Sequence, residues 1–459
     1  MRTPLPRGGA LILLAVGLAQ VLVTLDYFAL SVALPQMARD LGVSTTDLQW
    51  AMTGYLLSFA ALLVAGGRIG DILGRRRALL AGVAVFGLAS LACGLAGDEV
   101  VLVAARVAQG VGAAVLFPTS MAVVSQSFDE DTRPRAIGIV VAVSTLGTAL
   151  GPLVGGVLTD ALDWRWVFFV NVPFALAAAL MILRFVPDSR DETAARRLDV
   201  LGIATLAIAI VALTLAIDRG PSWAEGDVTA LVACLAVCVA ALVAFVLVEL
   251  RVANPLIDLP TFRRPAFVMV TLSGCLSNFV WGLSVFVATI WLQQVEGLSP
   301  LESGMAFLAM SAGVAVAGPL SGRLVRRFDV GLLMAIASLV GAGSAVAISF
   351  IDALPAWLPV FLLLGIGVGT NYALVNQGTL AAVPRRQAGA ASGIAMTAIV
   401  IAAALATVLG ATLLEELSAT AAVDQDAVDG VMRVGAAVGL ASAVPAAVLW
   451  RRRARVAVV

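Results

Sequence analysis

Long apolar stretches separated by short polar loops are the feature that most restricts how this chain can fold. Only 13% of its 459 residues are charged and 61% are hydrophobic. A soluble domain carries about twice that charged fraction. About 20 apolar residues form a helix that crosses the hydrocarbon core of a membrane. The sequence therefore predicts an all-α integral membrane protein with 14 transmembrane helices, at residues 10–34, 48–67, 78–97, 100–126, 136–159, 166–186, 198–217, 228–248, 266–294, 303–322, 330–350, 357–382, 387–414 and 430–450.

The distribution of arginine predicts how these spans are oriented. The chain has 29 basic residues, all of them arginine. If both termini are cytoplasmic, 24 of the 29 lie in cytoplasmic loops or tails, and the positive-inside rule requires this asymmetry. Four lie outside (Arg39, Arg165, Arg219 and Arg433), and Arg106 lies within a span. We expect a multi-pass protein of a bacterial plasma (inner) membrane with both termini in the cytoplasm.

Three short matches indicate an internal repeat. GVSTTDLQWA (42–51) aligns with GLSPLESGMA (297–306), QGVGAA (109–114) with IGVGTN (366–371), and AIGI (136–139) with ASGI (391–394), all at offsets of 255 to 257 residues. A parallel repeat of this kind is typical of two-domain secondary transporters. We expect two pseudo-symmetric six-helix bundles, at 1–190 and 256–459, separated by two additional transmembrane helices in 191–255, with the substrate path in the cleft between the bundles.

Two charged residues lie well inside predicted spans, Asp26 in the first and Arg106 in the fourth. A charge in the bilayer costs at least about 2.5–3.5 kcal/mol on insertion scales, so it indicates function by default. Counted from the ends of antiparallel helices, the two depths agree within one helical turn, so the side chains could meet. One interpretation is a static ion pair that orients two helices. The other is a proton-coupling site, because histidine is absent and Asp26 is the carboxylate placed to bind and release a proton within the membrane.

Polar, small and aromatic residues share the face of the fourth span that carries Arg106. Gln109, Gly110, Ala113 and Phe117 follow it at spacings of 3, 4, 7 and 11, a pattern typical of a cavity wall. In the second half, polar residues of the ninth and twelfth spans either contact a substrate or hold helices together. The predicted substrate cavity comprises Tyr27, Tyr55, Gln109, Phe117, Asn278, Trp281, Asn371, Tyr372, Asn376 and Gln377.

The loop between the second and third spans reads GRIGDILGRRRAL (67–79). It resembles the signature G-x-L-A-D-R-x-G-R-K-x-x-L of the major facilitator superfamily. Gly67, Asp71, Gly74, Arg75 and Arg76 match, and the resemblance implies that they form a gating loop. Ile72 replaces a usual basic residue, so one ion pair of that loop is missing.

Three further motifs resemble the fourteen-span drug:proton antiporters of that superfamily. LDYFALSVALP (25–35) is similar to L-D-x-T-V-V-N-V-A-L-P, although Phe28 and Ser31 replace Thr and Asn. RVAQGVGAA (106–114) matches R-x-x-Q-G-x-G-A-A, in which the arginine is implicated in proton coupling. GTALGPLVGG matches the antiport signature G-x-x-x-G-P-x-x-G-G through Gly147, Gly151, Pro152, Gly155 and Gly156. WRWVFFVNVP (164–173) is also typical of this branch.

The resemblance implies a proton-coupled antiporter that exports drug-like or natural-product small molecules by alternating access. The glycines spaced by four in the fifth span form a stripe against which another helix can pack closely. Alternatives are a proton-coupled solute symporter that imports a nutrient and, from another class, a membrane enzyme or sensor. We expect no enzymatic activity, no cofactor, no nucleic acid and no bound metal. The expected partners are protons, an amphipathic or lipophilic substrate and the lipid bilayer, and the expected state is a monomer.

Overall fold

The computed structural model describes residues 8–45, 47–129, 132–189, 199–226, 228–252, 255, 257, 259–351, 353–383, 388–418 and 423–456. Within those residues the regular structure is entirely helical. The first seven helices are α1 Gly9–Leu41, α2 Trp50–Leu73, α3 Arg75–Gly94, α4 Glu99–Ser127, α5 Arg133–Ala161, α6 Trp166–Phe169 and α7 Asn171–Phe185. The sixth predicted span comprises α6 and α7, which adjoin at Val170 and form one candidate span, Trp166–Phe185.

The remaining helices follow the predicted order. They are α8 Val200–Asp218, α9 Gly220–Gly226, α10 Val228–Arg251, α11 Pro265–Ile290, α12 Pro300–Leu324, α13 Val330–Ile348, α14 Leu354–Ala382, α15 Ala388–Leu417 and α16 Gln425–Val456. A π-helical turn, Trp291–Val295, continues α11. Most of the helices extend past the apolar segments read from the sequence, because helix ends in the polar loops carry no hydropathy signal.

Thirteen helical segments in the described residues are long and apolar enough to cross a membrane. They coincide with thirteen of the fourteen predicted spans. The fifth predicted span corresponds to α5, a helix of 29 residues that contains Pro152. The all-helical membrane class is confirmed, and the count of fourteen spans stays a prediction.

The chain divides into two compact units. The first contains α1 to α7, the start of α8 up to Ala207, and the segment Arg251–Leu256. The second contains Ile208–Leu250, which includes α10, and the chain from Ile257 onward.

Helix pairing is the same within each unit. In the first unit α1 packs on α4, α5 and α7, α2 packs on α4, and α3 packs on α4 and α7. In the second unit α11 packs on α14, α15 and α16, α12 packs on α14, and α13 packs on α14 and α16. In the first unit, this pairing surrounds the middle of α1 with side chains from α4, α5 and α7.

Candidate functional site

Asp26 and Arg106 form an ion pair inside the first unit. The Nη1 atom of Arg106 on α4 donates to Oδ2 of Asp26 on α1 over 2.5 Å. Both side chains have 0% of their surface exposed. The contact that the sequence allowed is therefore present. Removing two charges from water is costly unless hydrogen bonds satisfy the remaining polar atoms, so the surroundings of the pair decide what it can do.

Arg106 is held on several sides. Its Nε donates to the carbonyl of Ala51 on α2 over 2.9 Å, and Nη1 also donates to Oε1 of Gln109 over 2.5 Å. The guanidinium carbon lies 4.3 Å from the ring centre of Tyr55, a cation–π distance. The Nη2 atom is buried and has no hydrogen-bond partner among the described residues. The guanidinium thus has one charged partner, Asp26, and several neutral ones.

Two amides donate to the other oxygen of Asp26. Oδ1 accepts from Nε2 of Gln109 over 2.8 Å and from Nδ2 of Asn171 over 2.7 Å. Both amide nitrogens also donate to Oγ of Ser90 on α3, over 3.2 Å and 3.0 Å respectively. Four helices therefore converge on one carboxylate: α1 carries it, and α3, α4 and α7 contribute its hydrogen-bonding surroundings.

Ser90 and Asn171 were not among the residues predicted from the sequence. A single serine in an apolar helix does not indicate a functional role from the sequence alone. Asn171 lies in the stretch WRWVFFVNVP, which indicated the branch of the family but no role for its asparagine. The signal that could have found it is a lone amide two residues before Pro173, in a span whose charged residue, Arg184, lies near its far end.

Asn171 and Ser90 meet where α7 begins. α6 ends at Phe169 and α7 begins at Asn171. The hydroxyl of Ser90 donates to the carbonyl of Phe168, in the last turn of α6, over 3.1 Å. Because that hydrogen is already committed, Ser90 presents only lone pairs to the amides of Gln109 and Asn171.

Aromatic rings extend from Arg106 along the interior of the first unit. Tyr27 stacks on Tyr55 with ring centres 6.3 Å apart, and Tyr55 stacks on Phe59 at 6.2 Å. Phe59 meets Phe117 edge to face at 5.8 Å. We call these four residues, Tyr27, Tyr55, Phe59 and Phe117, the aromatic ladder. Tyr55 is buried beside Arg106, whereas Phe117 at the other end is partly exposed.

The glycine stripe of α5 packs against α1, the helix that carries Asp26. A Cβ atom added to Gly151 would lie 2.6 Å from Cβ of Phe28, and one at Gly155 would lie 2.7 Å from Cα of Ala29. A Cβ at Gly147 would overlap the hydroxyl of Thr24. Pro152 and Gly156 are buried in the same helix. The close approach expected from the spacing of these glycines is therefore made with α1.

The predicted gating loop joins α2 to α3 through a glycine that needs a left-handed conformation. Gly74 has φ +97°, which strains any residue with a side chain. The Arg75 guanidinium donates to Asp71 over 2.9 Å, and the Arg75 backbone amide donates to the carbonyl of Ser189 over 2.8 Å. Arg76 donates to the carbonyl of Leu183, and a Cβ at Gly67 would lie 3.5 Å from Cβ of Pro118. The loop thus contacts α4 and the end of α7.

The polar residues predicted in the second half separate into two groups. Asn371 is fully buried, and its Nδ2 donates to Ser338 over 2.9 Å and to Ser273 over 3.3 Å. It therefore bridges α14, α13 and α11. This arrangement fits the alternative in which the residue holds helices together. Its neighbour Tyr372 has 38% of its surface exposed. The others are partly exposed: Asn278, Trp281, Asn376 and Gln377.

Two solved structures share the fold of this chain. A peptide transporter in complex with sulfate aligns with a TM-score of 0.71 over 96% of this chain and 94% of its own, at 14% identity. A bacterial homolog of the human lysosomal transporter Spinster, in an inward-facing and occupied conformation, aligns with a TM-score of 0.65 over 97% of both chains, at 17% identity. The chain therefore has the fold of these two proteins.

The sequence comparison identifies the family. Residues 16–407 match the model of the Major Facilitator Superfamily, so the chain belongs to that superfamily and is a membrane-spanning transporter. The tetracenomycin C resistance and export protein of Streptomyces glaucescens is 36% identical over 87% of this chain and 74% of its own length. The puromycin resistance protein of Streptomyces alboniger is 37% identical over 87% and 80%, and the multidrug resistance protein Stp of Mycobacterium tuberculosis is 36% identical over 89% and 77%.

Proposed function

We propose that this transporter is a proton-coupled antiporter that exports drug-like or natural-product small molecules from the cytoplasm by alternating access. Asp26 carries the proton and Arg106 serves as its counter-ion. The observation that carries the proposal is the ion pair between two side chains with no exposed surface. Relatives named for the export of, or resistance to, tetracenomycin C and puromycin support the direction of transport.

Protonation of Asp26 changes the balance of charge inside the first unit. With Asp26 ionised, the pair is neutral overall and the helices α1 and α4 attract each other. Once Asp26 is protonated, Arg106 is a buried cation without a counter-ion, which is strongly unfavourable. Proton binding therefore favours a conformation in which Arg106 gains water or a different partner, and this difference between two states is what coupling requires.

The glycine stripe gives α1 a surface along which it can move. Gly147, Gly151 and Gly155 present no side chains to α1, so a shift of α1 along α5 meets no interlocking ridge. We propose that this seam accommodates the movement of Asp26 toward and away from Arg106. The gating loop of Gly67, Asp71, Gly74, Arg75 and Arg76 holds the cytoplasmic ends of α2, α3 and α7 together during that movement.

The aromatic ladder supports an amphipathic or lipophilic substrate. Offset-stacked and edge-to-face rings supply apolar area with a defined geometry, and tyrosine adds a hydroxyl. We propose that Tyr27 and Phe117 contact the substrate from the first unit. In the second unit we propose the partly exposed residues of the predicted cavity, namely Asn278, Trp281, Tyr372, Asn376 and Gln377. Gln109, Tyr55 and Asn371 serve the buried networks instead.

The architecture belongs to the same proposal. The identical helix pairings in the two units and the common sequence offset support two six-helix repeats with two added spans between them. The arginine distribution supports cytoplasmic termini in a bacterial plasma membrane. A proton entering down about 100 mV supplies roughly 2.3 kcal/mol, which maintains about a fiftyfold substrate gradient.

The test uses inverted membrane vesicles, in which an exporter accumulates substrate in the lumen. We expect the wild type to accumulate puromycin or tetracenomycin C and to release lumenal protons as it does so. Asp26→Asn should abolish both signals while the protein remains folded, because the amide cannot bind and release a proton. Asp40→Asn is the matched control: Asp40 lies on the same helix, partly exposed and paired with Arg165.

Two results would contradict the proposal. Undiminished proton-coupled accumulation by Asp26→Asn would remove Asp26 from the coupling. Substrate leaving the lumen together with protons would indicate the symporter alternative.

A further inference from the structure

We propose that Asn171 is the positioning residue that responds to the protonation state of Asp26. It donates to the ionised carboxylate in the present structure and accepts from the carboxylic acid after its amide turns over. This inference rests on the proposed role of Asp26 in proton coupling and adds a residue of α7 to it.

The hydrogen-bond directions around Asp26 fit only the ionised form. The carboxylate is met by Arg106, Gln109 and Asn171, and each of them donates. A protonated carboxyl carries an O–H group that must itself find an acceptor. A buried donor without an acceptor is strongly unfavourable. As long as the carboxyl stays among these three neighbours, at least one of them must therefore become an acceptor when a proton arrives.

Asn171 is the neighbour able to make that change. Arg106 has no acceptor atom. Gln109 has one, but its Oε1 accepts from Arg106 over 2.5 Å and lies 3.8 Å from the thiol of Cys93, so turning this amide would break the bond to Arg106. Asn171 makes no hydrogen bond to Arg106 in this structure, so its amide can turn without disturbing the guanidinium.

Ser90 fixes the direction of the Asn171 amide in the ionised state. Its hydroxyl donates to the carbonyl of Phe168, which leaves its oxygen as an acceptor for Nδ2 of Asn171 over 3.0 Å. If the Asn171 amide turned, its oxygen would face a lone pair of the Ser90 oxygen. The two would repel each other unless the Ser90 hydroxyl rotated away from Phe168 to donate to Asn171. Protonation of Asp26 is thereby linked to the hydrogen bond that joins Ser90 of α3 to Phe168 of α6.

Other titratable or charged groups near Asp26 are Tyr27, the next residue on α1, and three groups on other helices. Arg106 lies on α4, Tyr55 on α2 and Cys93 on α3. In sequence, α5 has no titratable residue between residues 136 and 159, and α7 has none before Arg184. The Asn171 amide is the polar contact that α7 makes with the carboxylate.

The experiment titrates Asp26 in the purified full-length protein, without substrate, by infrared difference spectroscopy. The band of interest is the carbonyl stretch of a protonated carboxylic acid that appears on acidification and is absent in Asp26→Asn. The variant is Asn171→Leu, which has a similar volume and can neither donate nor accept. The matched control is Ser344→Ala: Ser344 is buried on α13, 254 residues after Ser90, and bonds to the carbonyl of Val340 in its own helix.

We expect two changes in Asn171→Leu. The carbonyl band moves to higher frequency, because the acid has lost its acceptor. The pH midpoint of the band rises by about half to one unit, because a hydrogen bond to a charged group is roughly twice as strong as a neutral one. Ser90→Ala should shift the midpoint in the same direction by less, and it serves as the second variant if Asn171→Leu does not fold. Ser344→Ala should change neither quantity.

The outcomes separate this inference from the proposed function. If both Asn171→Leu and Ser90→Ala keep the wild-type frequency and midpoint, the role of Asn171 is wrong even where vesicles show coupled transport. If the band behaves as expected but vesicles show no substrate-driven proton release, the inference about Asn171 stands and the antiport function is wrong. A wild type without an Asp26-dependent band would contradict both.

Discussion

The two units share their helix pairing but place polar groups at different positions along those helices. In the first unit a carboxylate, a guanidinium and two amides meet between α1, α3, α4 and α7. In the second unit Asn371, Ser338 and Ser273 meet between α14, α13 and α11, the corresponding helices, and none of the three is charged.

The offset between the two sequence repeats shows which residues of the two units correspond. At a spacing of 256 residues Asp26 corresponds to Gly282, and at 257 Arg106 corresponds to Leu363. Conversely, Ser273 and Ser338 correspond to Gly17 and Gly82. Gly17 lies nine residues before Asp26, roughly 14 Å along a helix. One helix arrangement therefore accommodates a polar cluster at two different depths, and among the described residues the fully buried ion pair, Asp26 with Arg106, lies in the first unit.

Arg106→Leu should produce the largest change, because it turns the first unit into a bundle with an unpaired charge. The ionised Asp26 would keep two amide donors and lose its counter-ion. Breaking a buried pair from one side costs about 3–5 kcal/mol. Thermal unfolding in detergent at neutral pH should show a loss of stability of that size, together with loss of coupled transport.

The double variant Asp26→Leu, Arg106→Leu is the control for this result. Replacing both partners by apolar residues is often neutral or stabilising, so most of the lost stability should return while transport stays absent. The first unit would then resemble the second, in which these positions are apolar. A double variant as unstable as the single one would show that packing, rather than charge, causes the loss.

Gly155→Val should have the next largest effect, because it tests the close contact of α5 with α1. Its Cβ would lie 2.7 Å from Cα of Ala29, a backbone atom that cannot move aside alone. Overpacking of this kind costs about 1–3 kcal/mol, which a thermal melt of the purified variant would measure.

Gly138→Ala in the same helix is the matched control, because no atom of the described residues lies within 4 Å of a Cβ at that position, and we expect no loss of stability. In the second unit the corresponding contact is between α11 and α15. There the glycine lies on α11, the counterpart of α1: a Cβ at Gly282 would lie 3.0 Å from Cα of Ala403 on α15. Equal melting temperatures for Gly155→Val and Gly138→Ala would mean that the contact between α5 and α1 is not tightly packed in solution.

Charge and hydropathy were sufficient to predict the helices and the meeting of Asp26 with Arg106. An ion within an apolar span stands out, and the rise per residue of a helix fixes its depth. Ser90 and Asn171 could not be predicted in this way, because neutral polar side chains are tolerated in many membrane helices without a functional role. The hydrogen bond from Ser90 to the carbonyl of Phe168 is equally silent, since WRWVFFVNVP is apolar throughout most of its length and hydropathy does not report which carbonyl accepts from a side chain.

The assignment of Asn371 to the substrate cavity shows a related limit. Its neighbours Tyr372 and Asn376 are exposed at least in part, and a pattern of alternating polar residues does not reveal which of them faces Ser338 and Ser273. Partners more than 30 residues away in sequence decide that, and only the folded bundle brings them together.

Asn371→Ala should give the smallest change and sharpens the contrast between the units. The side chain donates to two serine hydroxyls, each such bond contributes about 0.5–1.5 kcal/mol net, and both serines can turn to carbonyls of their own helices. We expect a loss of stability of about 1–2 kcal/mol in thermal melts. The pH midpoint of the Asp26 carbonyl band should stay at its wild-type value, because Asn371 makes its side-chain hydrogen bonds to uncharged serines of the second unit. A shifted midpoint would show that the neutral cluster of the second unit takes part in proton binding, and the division of roles between the two units would have to be abandoned.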